Sequence, residues 1–148
     1  KIKSAIVIGA PLRWRNGVYN CALVMAEGEV KGIAPKSVIP NFREFYEKRW
    51  FNSGKEIKSK EFEFNGKKVP FGANLIFSDG ADLKFSVEIC ADLWGPIPPS
   101  CHHSIAGANL ILNLSASNDI VSKADYRRDL VRMQSARCVC AYSFSCSF

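Results

Sequence analysis

The chain has 148 residues, of which 47% are hydrophobic and 23% charged, the proportions of a soluble globular protein that can build a core. Its longest apolar runs are far too short to span a membrane and no basic-then-apolar leader opens it, so we expect a cytoplasmic protein with no membrane partner. The net charge of +6 does not indicate a nucleic-acid partner, because acidic residues are interleaved with the lysines.

The hydrophobic pattern alternates strand pairs with helices. In chain order it predicts a buried strand at 4–9, a hairpin of strands at 18–25 and 29–34, a short helix or turn at 43–50, an exposed polar segment at 52–70, a hairpin of strands at 73–78 and 83–89, a short helix at 99–107, a buried strand at 109–114, an amphipathic helix at 123–139 and a final strand at 140–146. This order is typical of an α/β or α+β layered domain.

The six cysteines do not have the pattern of a disulfide framework. They are unevenly spaced, and Cys21, Cys90, Cys138 and Cys140 lie inside apolar runs. A chain of this size with a hydrophobic core does not need disulfide crosslinks for stability, so we expect reduced thiols in a reducing compartment.

One of these cysteines ends a predicted strand. The mostly apolar run 83–89 leads into Cys90, and a turn bounded by Gly95 and Pro96 follows. A thiol at the end of a buried strand, facing a loop, is where an α/β enzyme can present a nucleophile. Taken alone, Cys90 is more simply a small core residue, because free cysteine is among the most buried residue types.

Two other groups of residues have simple interpretations when taken alone. Lys36 follows the strand at 29–34, between two prolines that disfavour a helix, and is most simply a surface lysine. The run Cys101-His102-His103 lacks the ligand spacing of zinc sites, so we predict no metal site. Neither a Walker loop nor Gly-x-Gly-x-x-Gly occurs, so we predict no cofactor in these residues.

Three segments, taken in their order along the chain, favour a catalytic interpretation of Cys90 and Lys36, because together they resemble the nitrilase (carbon–nitrogen hydrolase) superfamily. They are 32–51, 87–96, and 109–118 with the downstream Lys123 and 126–128. Within the superfamily the segments are most similar to the glutaminase domains of glutamine-dependent NAD synthetases. The resemblance runs from Ile6 to Tyr142. It implies an αββα four-layer sandwich, incomplete in this chain, and a homo-oligomer formed by further helix packing.

The resemblance implies catalytic roles for three residues. Cys90 is the nucleophile that attacks the side-chain amide of glutamine and forms a glutamyl thioester. Lys36 stabilises the oxyanion together with the backbone N–H of Ala91. Glu47 matches a second glutamate that braces the lysine, and Glu44 is a weaker candidate for that role. The alternative for Glu47 is a solvated acid on a charged helix, and the sequence does not decide between the two.

The resemblance also implies a set of substrate-binding residues. They are Phe42, Phe45, Ala91, Ser117 and Lys123. Phe42 stands where a tyrosine is usual, so it can pack on the substrate but cannot donate a hydrogen bond. Lys123 stands where a basic residue contacts the substrate carboxylate. Ala91 stands where relatives commonly have an acid, which removes a possible contact with the substrate amino group.

The superfamily's general-base glutamate has no match in this chain. No acidic residue precedes Glu27, and Glu27 and Glu29 lie at the predicted hairpin turn. We therefore expect residues 1–148 to be the central part of a nitrilase-like glutaminase domain. The N-terminal strand–helix unit, the domain's C-terminus and a synthetase domain would then lie outside the chain, and these residues alone would be inactive.

The function implied by the resemblance is glutamine hydrolysis that supplies ammonia to the synthetase domain of the same polypeptide. That domain would use ATP and magnesium to convert deamido-NAD into NAD. Two alternatives stay open at this point. One is a nitrilase-type amidohydrolase of other specificity, and the other is a non-catalytic interaction module that keeps the fold without the catalytic triad.

Overall fold

The computed structural model describes residues 4–58, 60–118 and 120–147. The chain divides into two compact units, Lys1–Leu75 and Ile76–Phe148. Each unit contains one β-sheet, and the α-helices lie in the second unit. Within the described residues, no helix is both long enough and apolar enough to cross a membrane.

The predicted strands and helices are present in the predicted order, together with two further strands in the segment 52–70. The elements are β1 Ile6–Trp14, β2 Gly17–Ala26, β3 Glu29–Pro35, a 3-10 helix Glu47–Arg49, β4 Lys60–Phe64, β5 Lys67–Phe71, β6 Phe77–Ser78, β7 Lys84–Ile89, a 3-10 helix Cys90–Trp94, α1 Pro99–Ile105, β8 Leu110–Ser115, α2 Lys123–Cys138 and β9 Ala141–Cys146.

The first unit is a five-stranded sheet with the order β1-β2-β3-β5-β4. The predicted hairpin is present as β2 and β3, and its turn has positive φ at Glu27 (57°) and Gly28 (83°). The strand predicted at 4–9 is present as the start of β1, but the prediction that it is buried is wrong. β1 extends to Trp14 and is largely exposed, because it is the edge strand of the sheet. Its Pro11 has no N–H to donate, which an edge position tolerates.

The polar segment 52–70 contains a hairpin that its sequence pattern did not predict. β4 and β5 pair antiparallel around Asn65 (φ 49°) and Gly66 (φ 74°), the asparagine–glycine pair that two-residue hairpin turns favour. The alternation of lysine or glutamate with Phe62, Phe64 and Val69 was the available signal. The abundance of charged residues hid it.

The core of the first unit lies against this hairpin. Its buried members are Cys21, Leu23, Ile33, Ile57, Val69 and Phe71. The Phe71 ring lies edge-on to Trp14 at a centroid distance of 5.0 Å and to Phe62 at 5.6 Å. Burial raises the pKa of the Cys21 thiol to about 12, so this cysteine is a core residue and not a reactive thiol.

The second unit has a four-stranded sheet with the order β6-β7-β8-β9. β6 and β7 form the predicted hairpin, although β6 has only two residues. β7, β8 and β9 are parallel, so their carboxyl ends meet at one edge of the sheet. The residues that follow β7 and β8 therefore lie close together, and both strands end in segments that the sequence analysis singled out.

Both predicted helices are present in the second unit, but α2 does not bury the side chains that its pattern indicated. Met133 and Ala136 are exposed, and Gln134 is the residue of α2 that is buried. The Gln134 amide donates to the Ser100 hydroxyl at 2.8 Å, which joins α2 to α1 through a polar contact.

Candidate active site

Cys90 lies at a sharp turn between a buried strand and a short helix. Residues 85–89 of β7 are buried, and the 3-10 helix Cys90–Trp94 begins immediately after them. Cys90 has φ +47°, a left-handed conformation that is uncommon for a residue other than glycine. Such strained positions persist where the surrounding structure holds them, and they cluster at active sites. The side chain is half-buried, so the thiol is not sealed in the core.

Two side chains hold the backbone of this turn. The Asp92 carboxylate accepts a hydrogen bond from the Ile89 N–H at 2.8 Å, and the Asn113 amide oxygen accepts one from the Cys90 N–H at 3.2 Å. Ala91 follows in the first turn of the 3-10 helix, where backbone N–H groups lack intrahelical acceptors. The Ala91 N–H is therefore well placed to donate to the oxyanion that forms when the Cys90 thiol attacks a carbonyl group.

A buried polar network continues from Asn113. Its amide nitrogen donates to the Tyr142 hydroxyl at 3.1 Å, and that hydroxyl donates to Glu88. The other carboxylate oxygen of Glu88 accepts the Ser100 N–H at 3.0 Å. Burial, followed by the charge of Glu88, raises the pKa of Tyr142 well above its ordinary value. Tyr142 is therefore neutral at physiological pH and serves as the donor to Glu88.

In the first unit, Lys36 is buried and ion-paired. Its side chain is 1% exposed, and its ammonium lies 2.7 Å from each carboxylate oxygen of Glu47. The backbone N–H of Lys36 donates to the Asn20 carbonyl at 2.8 Å, which fixes the backbone of Lys36 at the end of β3. The interpretation of Lys36 as a surface lysine is wrong. So is that of Glu47 as a solvated acid, because its side chain is only 21% exposed.

The segment between Lys36 and Glu47 contains both predicted aromatic residues. Phe42 is 63% exposed, and Phe45 is half-buried. Their rings meet edge to face with centroids 6.0 Å apart, and the Phe45 N–H donates to the Phe42 carbonyl at 3.0 Å. An exposed phenylalanine held in a short turn offers an apolar surface to a ligand.

The other two predicted substrate-binding side chains lie in the second unit. Ser117 is buried just after β8. Lys123 begins α2; it donates to the Asn118 side chain, and its ammonium lies 5.3 Å from the centroid of the Trp94 ring. Trp94 ends the 3-10 helix that Cys90 begins, so this contact connects Lys123 to the cysteine turn.

In the run Cys101-His102-His103, the second histidine contacts a serine of β7. His103 is buried, and its Nδ1 lies 2.7 Å from the Ser86 hydroxyl. Across the described ranges, no cluster of three or more histidine, cysteine or acidic side chains could hold a metal ion. All six cysteines are free thiols.

Three residues beside the Cys90 turn had no predicted role, namely Glu88, Asn113 and Tyr142. Glu88 and Asn113 lie inside the segments 87–96 and 109–118 that carry the family resemblance. Their signal was a charged or amide side chain inside a predicted buried strand, since such groups are buried only with hydrogen-bond partners. Tyr142 lies in the final strand and carried no signal of its own.

The comparisons with known structures agree with the predicted fold. No protein-family model matches this chain. A CN-hydrolase superfamily protein from Xanthomonas campestris, with an arsenic adduct in its active site, superposes with a TM-score of 0.62 at 17% identity, covering 96% of this chain and 47% of that one. The chain therefore has the fold of a carbon–nitrogen hydrolase, as the nitrilase resemblance predicted.

Closer similarity identifies the relatives more narrowly. A glutamine-dependent NAD(+) synthetase from Cytophaga hutchinsonii superposes with a TM-score of 0.83 at 33% identity, covering 95% of this chain and 22% of that one. The glutamine-dependent NAD(+) synthetase of Mycobacterium leprae is 42% identical over 142 residues, which are 95% of this chain and 21% of the relative. The predicted resemblance to glutamine-dependent NAD synthetases is confirmed, and the chain spans about a fifth of their length.

Proposed function

We propose that this chain carries the nucleophile of a glutaminase, with the Cys90 thiol hydrolysing the side-chain amide of glutamine. The position of Cys90 carries this proposal, because a half-buried thiol in a left-handed turn at the end of a buried parallel strand is presented on a rigid support. The partly buried Lys36–Glu47 pair supports it, as does the similarity to proteins named as glutamine-dependent synthetases.

The proposed reaction has two covalent steps. The Cys90 thiolate adds to the amide carbon, and the carbon–oxygen double bond becomes a single bond to an oxyanion. The oxyanion collapses, the carbon–nitrogen bond breaks, and the nitrogen leaves as ammonia after taking a proton. Water then adds to the glutamyl thioester and releases glutamate and the thiol. The proton acceptor in this proposal is the glutamate that precedes the lysine in the superfamily's order.

Lys36 and Ala91 are the proposed oxyanion donors. Lys36 contributes an ammonium, and Ala91 contributes a backbone N–H. A buried ammonium interacts more strongly with a developing negative charge than an exposed one, because little water screens it. Glu47 would hold the Lys36 ammonium in one orientation through its two 2.7 Å contacts. These contacts also support a role for Glu47 in proton transfer.

Four side chains complete the proposed site by binding the substrate. Phe42 and Phe45 pack on its methylene groups, Ser117 accepts or donates a hydrogen bond, and Lys123 binds its carboxylate. The contact between Lys123 and Trp94 supports this assignment, because it holds the ammonium near the turn that carries Cys90. Ala91 has no side chain that could bind the substrate amino group.

The use of the ammonia belongs to the same proposal. We infer that residues 1–148 are the central part of a glutaminase domain. A synthetase domain of the same polypeptide would consume the ammonia in forming NAD from deamido-NAD, with ATP and magnesium bound outside these residues. A homo-oligomer and a cytoplasmic location are also proposed.

The test is ammonia release from glutamine by the natural gene product that contains this chain. We expect the wild type to release ammonia and Cys90→Ala to lose about 10⁴-fold or more in kcat, because no other group supplies the nucleophile. Cys21→Ala is the matched control, since that thiol lies in the core of the first unit.

Two results would contradict the proposal. If Cys90→Ala keeps its activity, Cys90 is not the nucleophile. If the wild type acts on other amides but not on glutamine, the protein is an amidohydrolase of different specificity. Activity toward none of a panel of amides favours the non-catalytic interaction module.

A further inference from the structure

The hydrogen bonds of Asn113 suggest a role beyond packing. Asn113 is 1% exposed and lies on β8, beside β7. Its amide oxygen accepts the Cys90 N–H at 3.2 Å and the Ser115 hydroxyl at 2.8 Å. The donor of the first bond is the backbone of the residue with the left-handed φ. This single side chain therefore touches the strained point of the turn.

Tyr142 and Glu88 set the orientation of the Asn113 amide. Glu88 is buried and accepts the Tyr142 hydroxyl hydrogen, so the Tyr142 oxygen is left to accept a hydrogen bond. That oxygen takes one from the Asn113 amide nitrogen at 3.1 Å. A flipped amide would point its N–H groups at the Cys90 N–H and an acceptor at Tyr142. Both contacts would be unfavourable in a buried site.

We propose that Asn113 is a positioning residue for Cys90, oriented by Tyr142 and Glu88. Its oxygen holds the backbone of the turn so that the thiol faces the substrate and the Ala91 N–H points at the oxyanion. This inference rests on the proposed nucleophilic role of Cys90. Asn113 itself makes no contact with substrate in the proposal, and its effect passes through the cysteine turn.

The experiment compares Asn113→Ala, Asn113→Asp and Ser115→Ala in the natural gene product. Asn113→Ala removes the acceptor for the Cys90 N–H. Asn113→Asp keeps the acceptor for the Cys90 N–H and loses the donor to Tyr142, so it should recover activity in part. Ser115→Ala removes the other hydrogen bond to the same oxygen and leaves the contact with Cys90 in place.

We expect Asn113→Ala to lower kcat for glutamine hydrolysis about 100-fold with KM changed less than about threefold, because misplacing a reacting group by about 1 Å has that effect. Ser115→Ala should keep kcat within about threefold, and Asn113→Asp should recover it to within about tenfold of wild type. If Asn113 had only a structural role, the apparent kcat of each of the three variants would fall only in proportion to its loss of folded protein.

Two safeguards keep the test decisive. If Asn113→Ala does not fold, Tyr142→Phe takes its place, because it removes the group that orients the amide and leaves Asn113 present; we expect about a tenfold loss of kcat with KM unchanged. The second safeguard is a readout that does not need glutamine. Iodoacetamide labelling is followed by mass spectrometry at Cys90, with the half-buried Cys101 and Cys146 as internal references.

We expect Asn113→Ala to change the labelling rate of Cys90 about tenfold relative to the two references, because the freed turn no longer holds the thiol in one orientation. If wild type does not hydrolyse glutamine, the proposed function fails, and this labelling ratio alone decides the role of Asn113. An unchanged labelling ratio or an unchanged kcat in a folded Asn113→Ala variant overturns the inference.

Discussion

The Cys90 turn and the Lys36 segment are held by different kinds of contact. The Lys36 side chain is held by Glu47, only 11 residues further along the chain, through one ion pair. Cys90 is held through Asn113, 23 residues away, and Asn113 in turn contacts Tyr142, another 29 residues along. One support is local, and the other is assembled by neighbouring parallel strands.

The two supports also differ in their access to water. Glu47 keeps a fifth of its side chain exposed, so its charge is partly solvated even when Lys36 is removed. Glu88 and Asn113 are buried, and each lost hydrogen bond leaves a group that water cannot reach. The loss of stability on breaking the ion pair should therefore depend on which partner is removed. The loss on removing one member of the network should include the cost of the buried partners that it leaves without a hydrogen bond.

The largest expected effect tests this asymmetry in the ion pair. Glu47→Ala leaves the Lys36 ammonium buried and unpaired, and we expect it to destabilise β3 by about 3 kcal/mol. Lys36→Met should cost about 1 kcal/mol, because Glu47 can turn toward water. Peptide-level hydrogen exchange of β3 in the natural gene product measures both.

An exposed pair on the same sheet provides the control. Lys67 lies 2.8 Å from Glu29, and the two side chains are largely exposed. Lys67→Ala should leave the exchange of β3 unchanged, since exposed pairs contribute little. Equal destabilisation by Glu47→Ala and Lys36→Met would show that water does not reach Glu47.

The second prediction concerns the buried network and is read from its pH dependence. The pKa of Tyr142 is raised in the folded state by burial and by Glu88, and its ordinary value is 10.0. Above pH 10 the unfolded chain loses the tyrosine proton while the folded chain keeps it. The free energy of unfolding should therefore fall by about 1.4 kcal/mol per pH unit for this residue.

Tyr142→Phe removes that slope. At pH 8 we expect the variant to have a free energy of unfolding about 1–2 kcal/mol lower than that of wild type, because Glu88 and Asn113 each lose a partner. As the pH rises above 10, this difference in the free energy of unfolding should become smaller. Urea unfolding at pH 8, 10 and 11 checks this. A deficit that stays constant across these pH values would mean that Tyr142 titrates as it does in the unfolded chain.

The same contrast explains how much of the site the sequence could predict. Lys36, Glu47 and Cys90 stand in short ordered segments, and their similarity to known families was enough to single them out. Periodicity located β2, β3 and β8, because each has a clear apolar pattern. It also placed α2 at the right residues, although the apolar face that it indicated for α2 is not the buried one.

Two kinds of information could not be predicted from local pattern. Asn113 and Tyr142 meet only because β8 and β9 pair in parallel in one register, which no window of the sequence contains. The hairpin of β4 and β5 was missed for another reason, since its lysines and glutamates occupy the solvent face and hide the alternating apolar face. The exposure of β1 depends on its place at the edge of the sheet, and the sequence of a single strand does not specify its position in the strand order.

The smallest effect concerns the strain at Cys90 itself. A left-handed conformation costs a non-glycine residue about 1–2 kcal/mol, whereas a glycine loses about 0.4–1 kcal/mol through the greater freedom of the unfolded chain. Cys90→Gly should therefore stabilise the turn by a net of about 0.5 kcal/mol and abolish ammonia release. Hydrogen exchange of the peptide spanning residues 85–95 measures the gain.

Asn65 provides the matched comparison, because it has φ 49° in the β4–β5 turn and no proposed role. Asparagine tolerates the left-handed region better than cysteine, so Asn65→Gly should give no net gain. If Cys90→Gly instead loosens its turn more than Asn65→Gly does, the thiol contributes packing and the turn is not strained. If it tightens the turn while activity is lost, Cys90 is a residue whose conformation is kept for chemistry at the expense of stability, and Asn113 is the contact that maintains it.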